Sequence, residues 1–195
     1  YLEGGAGALL YPLSQETELA NLFLYADFYP QDGQLSLIEQ LRDVITEHIP
    51  QEEREWLDPL KHSYLDLAEF LSVDEPAQRL VFRSIGDARV YRVPDGAFRK
   101  GLQPGQVLLT RLVREPGDVE WERAVIAGSV LVLSNEDGKG LLNATLDYRR
   151  EVEISAGSFE LGDWPEFAKR YGHVLLWTFA RMRFAALVDA VRSIH

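Results

Sequence analysis

Along this chain of 195 residues the spacing of apolar positions changes from helical to strand-like and then back. Leu19, Leu22, Phe23 and Ala26 recur at i, i+3, i+4 and i+7, which predicts an amphipathic helix with Ser14 as N-cap. Pro30-Gln31-Asp32-Gly33 ends it. A second helix is predicted over residues 35–49, with Leu37, Ile38, Leu41, Val44 and Ile45 inward and Glu39, Arg42, Asp43 and Glu47 outward. Pro50, Glu52 and Glu53 open a third, because proline suits a first turn and early acids favour the positive end of the helix dipole. Trp56, Leu57, Leu60 and Tyr64 form its apolar stripe, and the three helices predict a small antiparallel bundle.

Beyond Glu75-Pro76 the period shortens. Arg79–Arg83, Ala88–Val93, Gln106–Val113, Trp121–Ile126 and Ser129–Leu133 read as strands. Ser84-Ile85-Gly86-Asp87, Pro94-Asp95-Gly96, Gln103-Pro104-Gly105 and Glu115-Pro116-Gly117-Asp118 supply turns between them. This rhythm predicts a small antiparallel barrel or curled sheet. Asn135-Glu136-Asp137-Gly138 reads as a further loop, and Thr145–Ile154 fits either helix or strand. Asp163 caps a last helix that runs towards Ser193 and weakens or kinks near Gly172. Its broad stripe (Phe167, Tyr171, Val174, Leu175, Thr178, Met182, Ala185, Val188) demands burial on the sheet or against a second subunit. The expected fold is α+β, in three regions: an acidic helical region 1–72, an antiparallel β module 73–156 and a C-terminal helix 157–195, compatible with one compact domain.

Charge sharpens this division. Residues 1–75 carry 16 acidic and 3 basic side chains, residues 76–114 carry 2 and 8, and residues 115–195 carry 13 and 9. A −13 helical half therefore adjoins a +6 segment within a chain of net charge −11. Docking of the acidic helices on the basic strands, or on a second subunit, accounts for the asymmetry without a ligand. The net charge argues against a general nucleic-acid coat.

With 46% hydrophobic residues the chain can bury a real core. The absence of cysteine excludes disulfides, thiolate zinc sites and cysteine nucleophiles, and fits a reducing compartment. No apolar run approaches the ~20 residues of a membrane span. No basic stretch precedes the apolar Ala6–Tyr11, so no signal peptide is read there. The expectation is a cytoplasmic, soluble protein with no membrane partner and no cofactor.

The strongest candidate chemistry is the basic segment. Arg79, Arg83, Arg89, Arg92, Arg99, Lys100, Arg111 and Arg114, interleaved with Tyr91, are of the kind that grips single-stranded nucleic acid on a small barrel. Strand alternation puts Arg89 and Tyr91 on one face and Arg92 with Val90 on the other, so one patch need not contain them all. His62 has Asp58 and Asp66 at i−4 and i+4, which would form an acid–base or metal cluster if the third helix continues past Leu65; ordinary charge pairing on an exposed face explains the same spacing. Glu3-Gly4-Gly5-Ala6-Gly7 has no strand before it, Asn135–Gly138 has no later calcium-binding glutamate, Glu52–Glu55 suits a solvated helix face, and no serine lies in a Gly-x-Ser-x-Gly elbow. No catalytic or metal-binding set is assigned.

The order of elements carries a resemblance. Pro50–Leu57 leads into Lys61-His62-Ser63-Tyr64-Leu65-Asp66-Leu67-Ala68-Glu69-Phe70, then the Arg79–Arg83 strand, Leu102-Gln103-Pro104-Gly105 with its hydrophobic strand, and Val125-Ile126-Ala127-Gly128-Ser129-Val130. Over Pro50–Leu133 this resembles the body of uncharacterised bacterial proteins that accompany a SEC-C zinc-binding motif. The motif is cysteine-rich and this chain has none, so no zinc site carries over. The resemblance implies an accessory or adaptor role and offers no catalytic residues. The expected function is a non-enzymatic interaction module that binds a protein partner or self-associates through the C-terminal helix. The alternatives are a nucleic-acid-associated protein using residues 79–114 and an enzyme built on carboxylates and His62.

Overall fold

The computed structural model describes residues 18–23, 26–27, 35–45, 48–96, 99, 101–118, 120, 122–156 and 162–192. The glycine run 3–7, the Ser14 cap, the 30–33 stop, Lys100 and His195 lie outside them. Residues 18–23 form α1, followed by α2 (Leu37–Ile45), α3 (Gln51–Arg54) and α4 (Leu57–Lys61). Ser36 and Glu39 close a capping box at the start of α2: the Ser36 backbone N–H and hydroxyl donate to Glu39 Oε2 at 2.9 and 2.8 Å. Five strands follow: β1 (Tyr64–Asp74), β2 (Arg79–Ser84), β3 (Val90–Pro94), β4 (Val107–Arg114) and β5 (Ala124–Leu133). Two long helices, α5 (Asn135–Ala156) and α6 (Trp164–Arg192), complete the fold. The protein is α+β with a curled antiparallel sheet, as its periodicity predicts.

The sheet order is β3-β2-β1-β4-β5, with every pairing antiparallel. Register shifts between Phe70 and Ser72 and between Leu109 and Arg111 add local bend. The sheet curls until the Arg92 backbone N–H donates to the Glu122 carbonyl at 2.7 Å, yet it does not close.

Curling creates two cores. Inside the curl lie Ala68, Phe70, Leu80, Phe82, Tyr91, Val93, Leu108 and Leu112. The outer face, bearing Leu65, Leu67, Val107, Leu109, Leu131 and Leu133, is covered by Leu19 and Phe23 of α1, Leu141 of α5 and Phe167, Leu175 and Phe179 of α6. Gly138 lets α5 approach β4, since a Cβ there would lie 2.6 Å from that of Val107. The bend expected near Gly172 falls at Tyr171, whose φ of −119° and ψ of 21° leave the helical region. Of the α6 stripe, Phe167 and Leu175 are buried in the core with Tyr171 and Met182 packed against it, whereas Ala185 and the neighbouring Trp177 are exposed.

Four expectations change. The third helix does not continue past Leu65: the chain turns at His62 and enters β1, the sheet's central strand. A strand covered on both faces has an almost continuous apolar sequence, which hides its period of two. The boundary expected at 72–73 consequently falls inside β1. Asn135–Gly138 is not a loop but the first turn of α5, capped by Ser134, whose hydroxyl accepts from the Asp137 N–H at 3.0 Å. That helix runs through Thr145–Ile154 and occupies the end of the region expected to be β.

Gly86, in the β2–β3 turn, lies against the α6 indole: an added Cβ would overlap the Trp164 ring. Gly86→Ala is expected to destabilise the protein by about 1–3 kcal/mol in urea titrations, the usual cost of overpacking. It should also shift Trp164 fluorescence; an unchanged spectrum and midpoint would place the indole elsewhere.

Candidate functional site

Two buried polar networks meet at one cleft. The first is centred on Asp66, which is fully buried in β1. Its Oδ1 accepts hydrogen bonds from Trp164 Nε1 at 2.9 Å, Ser84 Oγ at 3.0 Å and the Leu67 N–H at 2.8 Å. The Tyr91 hydroxyl donates to Oδ2 over a longer 3.4 Å, and the Tyr64 and Tyr91 hydroxyls are 2.8 Å apart. Burial pushes the Asp66 carboxyl up to about 6, helped by the charge of Asp87, while hydrogen bonds from Trp164, Leu67 and Ser84 oppose the shift. Burial likewise raises both tyrosines, with Asp66 adding to the effect, so both stay neutral.

The second network crosses the helix–sheet interface. Arg111, fully buried on the outer face of β4, forms an ion pair with buried Asp27. It also donates to Ser63 Oγ at 2.8 Å and the Ser63 carbonyl at 3.1 Å. Lys169 of α6 reaches the same carboxylate at 2.7 Å and donates to the carbonyls of Ala26 and Ser63 at 2.9 and 3.2 Å. Burial lowers the Lys169 pKa, against the pull of Asp27. Two cations share one carboxylate, and the charge of Glu39 also acts on Lys169.

Lys169 and Tyr64 both line a cleft of about 540 Å³, together with Lys61, His62, Arg89, Arg114, Asp163, Pro165 and Glu166. α4 and the turn after it supply Lys61 and His62, β4 ends in Arg114, the β2–β3 connection carries Arg89, and α6 opens with Asp163 to Glu166. Four cationic side chains thus converge beside Asp163 and Glu166, and each also faces an acid outside the cleft lining: Lys61 pairs with Glu39 at 2.9 Å and Lys169 with Asp27 at 2.7 Å. Arg89 lies 3.6 Å from Asp87 and Arg114 lies 3.7 Å from Asp58, distances longer than a direct charge-assisted hydrogen bond. The arrangement suits an oxyanion in that several cationic donors converge on one concave, partly enclosed site.

The basic residues singled out from the sequence are dispersed. Arg79 pairs with Glu115 at 2.8 Å, Arg83 with Glu69 at 2.6 Å, Arg92 with Glu122 at 3.8 Å and Arg99 with both Glu75 and Asp95 at 2.5 and 2.6 Å. Tyr91 and Arg111 are fully buried and face no solvent. Among the described members of the set, only Arg89 and Arg114 line this cleft. Among the described residues, Arg111 and Arg114 face Asp27 and Asp58 of the acidic helical region, while Arg89 and Arg92 face Asp87 and Glu122 of the β module. The His62 cluster also separates: His62 stays 3.5 Å from Asp58, while Asp66 enters the curl. Among the described residues no three His, Asp or Glu side chains gather as metal ligands, and no helix is long and apolar enough to cross a membrane.

Sequence reasoning placed Asp66 in a helical cluster with His62 and Tyr64 in a helix stripe, and it missed Ser63 and Lys169. The available signal was an aspartate inside the run Tyr64-Leu65-Asp66-Leu67-Ala68, where strand alternation would place it with Tyr64 and Ala68. The fold and site define an α+β protein with a cationic cleft at the mouth of a curled sheet. Comparisons with protein-family models, curated proteins and solved structures found no match.

Proposed function

We propose that this chain is a non-enzymatic binding module that takes a small oxyanion-bearing ligand, a phosphate or carboxylate, in the cleft over Tyr64. The observation that carries this reading is the convergence of Lys61, Arg89, Arg114 and Lys169 on one concave site. Every described arginine of the basic segment, Arg89 and Arg114 included, faces a carboxylate of the same chain, which supports internal charge complementarity over a nucleic-acid face. An adaptor role, as the resemblance to SEC-C-associated proteins implies, is compatible with ligand-dependent partner binding.

Calorimetric titration with sulfate and inorganic phosphate tests the site. Arg89→Gln and Arg114→Gln should each weaken binding about 10–100-fold, the effect of removing a charged hydrogen-bond donor. Arg83→Gln, on a strand away from the cleft, should leave it unchanged. Equal loss in all three, or salt-weakened binding of single-stranded RNA that depends on Arg83, Arg92 and Arg99, would overturn the cleft in favour of a diffuse basic surface.

A further inference from the structure

We propose that the cleft takes up its oxyanion together with one proton, which comes to rest on Asp66 through the Tyr64–Tyr91 hydrogen-bond chain. This rests on the reading of the cleft as an anion site.

The argument is one of hydrogen-bond polarity. A phenolic hydroxyl has a single proton to donate. With Asp66 ionised, Tyr91 donates to Asp66 Oδ2, so the 2.8 Å contact between the hydroxyls must be filled by Tyr64 donating to Tyr91. In that state Tyr64 has no proton to offer an anion in the cleft that it lines. For Tyr64 to donate to a bound oxyanion, Tyr91 must donate to Tyr64, and Asp66 must then donate to Tyr91. Only the protonated carboxyl can do so.

Proton uptake and reversal of the chain are one event. A proton from the cleft binds the Tyr64 oxygen, the former Tyr64 proton passes to Tyr91, and the former Tyr91 proton passes to Asp66 Oδ2. Each hydroxyl ends with one proton and the carboxylate becomes a carboxylic acid. Asp66 Oδ1 keeps its bonds from Trp164, Ser84 and Leu67 throughout.

The surroundings favour that proton. β2 offers Ser84, β3 offers Tyr91, β4 offers the buried Thr110 and α6 offers the Trp164 indole, none of them charged near neutral pH. The charged groups nearby are Asp87 and Arg89 of the β2–β3 connection and Asp163 at the start of α6. Asp87 disfavours a second negative charge on Asp66, and an incoming anion at Tyr64 adds to that. With the carboxyl already pushed up to about 6, the proton is within reach at neutral pH. Affinity and protonation are then linked reciprocally.

Sulfate is the probe, because it stays dianionic across the range and contributes no proton of its own. Its affinity is measured by calorimetry from pH 5 to 8 in two buffers of different ionisation enthalpy, for the wild type and for Asp66→Asn. The comparison is repeated in the His62→Gln background, because His62 lines the same cleft. Wild-type affinity should fall above pH 6 by up to about tenfold per pH unit, the limit for one linked proton, with proton uptake approaching one per sulfate. Asp66→Asn should bind with little dependence on pH, because its oxygen can keep the Trp164, Ser84 and Leu67 bonds while its amide donates permanently to Tyr91. Both results should persist without His62. Binding that is independent of pH in the wild type, or proton uptake unchanged in Asp66→Asn, overturns the coupling and leaves the anion site standing. No sulfate binding at pH 5 in either protein overturns the anion site itself.

Discussion

Asp27→Ala should cost about 3–5 kcal/mol of stability, the usual penalty for stranding a buried charge. The carboxylate of Asp27 is the only acidic group that the described contacts place on Arg111, and both side chains are fully buried. Removing it leaves the Arg111 guanidinium dependent on Ser63 and brings it up against Lys169 with no counter-charge between them. Asp27 follows α1 and Arg111 stands in β4, so the pair is also one of the points where the helical half is fastened to the sheet. The loss should appear as a lower urea midpoint with an unchanged slope. An apolar replacement of both partners, Asp27→Leu with Arg111→Met, should recover much of it, since desolvation offsets most of what a buried pair contributes. A loss below about 1 kcal/mol for Asp27→Ala would mean that water reaches Arg111.

The second large effect is a pH dependence with a defined sign. The unfolded chain releases the Asp66 proton near 3.8 and the folded protein holds it to about 6. Between these values the native state binds more protons than the unfolded state, so stability falls as pH rises through the window. A shift of this size corresponds to about 3 kcal/mol, present below pH 4 and lost above pH 6. Other acids titrate in the same range: hydrogen bonds from Lys61 and Ser36 outweigh burial at Glu39 and hold it near 2, which gives stability that is lost in acid. The comparison with Asp66→Asn isolates the one group. The stability of the variant relative to the wild type should rise by about 3 kcal/mol between pH 4 and pH 7. Parallel curves would show that the Asp66 carboxyl is solvated in the native protein.

Much of the secondary structure was legible because it depends on local spacing. The existence of α2 and α6, the turn chemistry at Gly86 and Gly105, and the alternation that puts Tyr91 inward and Val90 outward in β3 all follow from neighbouring residues. β1 was not legible, because burial on two faces removes the alternation that marks a strand. α5 was obscured at its start, where Asn135, Asp137, Gly138 and Gly140 are loop-forming residues; Gly138 is there to admit the side chain of Val107. The charge asymmetry was visible and its consequence was partly visible. Complementarity holds, but Arg111 and Arg114 make the contacts with the acidic helices.

The candidate site was the least legible part. Its groups come from positions 27, 61–66, 84–91, 111–114 and 163–169, and no spacing rule links them. The sequence by itself determined the α+β class, the order of its regions and the polarity of charge between them, because periodicity and composition are local or summed quantities. The tertiary structure alone decided that Asp66 is buried, that Tyr64 and Tyr91 connect it to a cleft, and that Lys169 shares a carboxylate with Arg111. Those relations depend on which faces meet when the sheet curls and α6 crosses it, and desolvation, which sets the chemistry of each group, exists only once they have met.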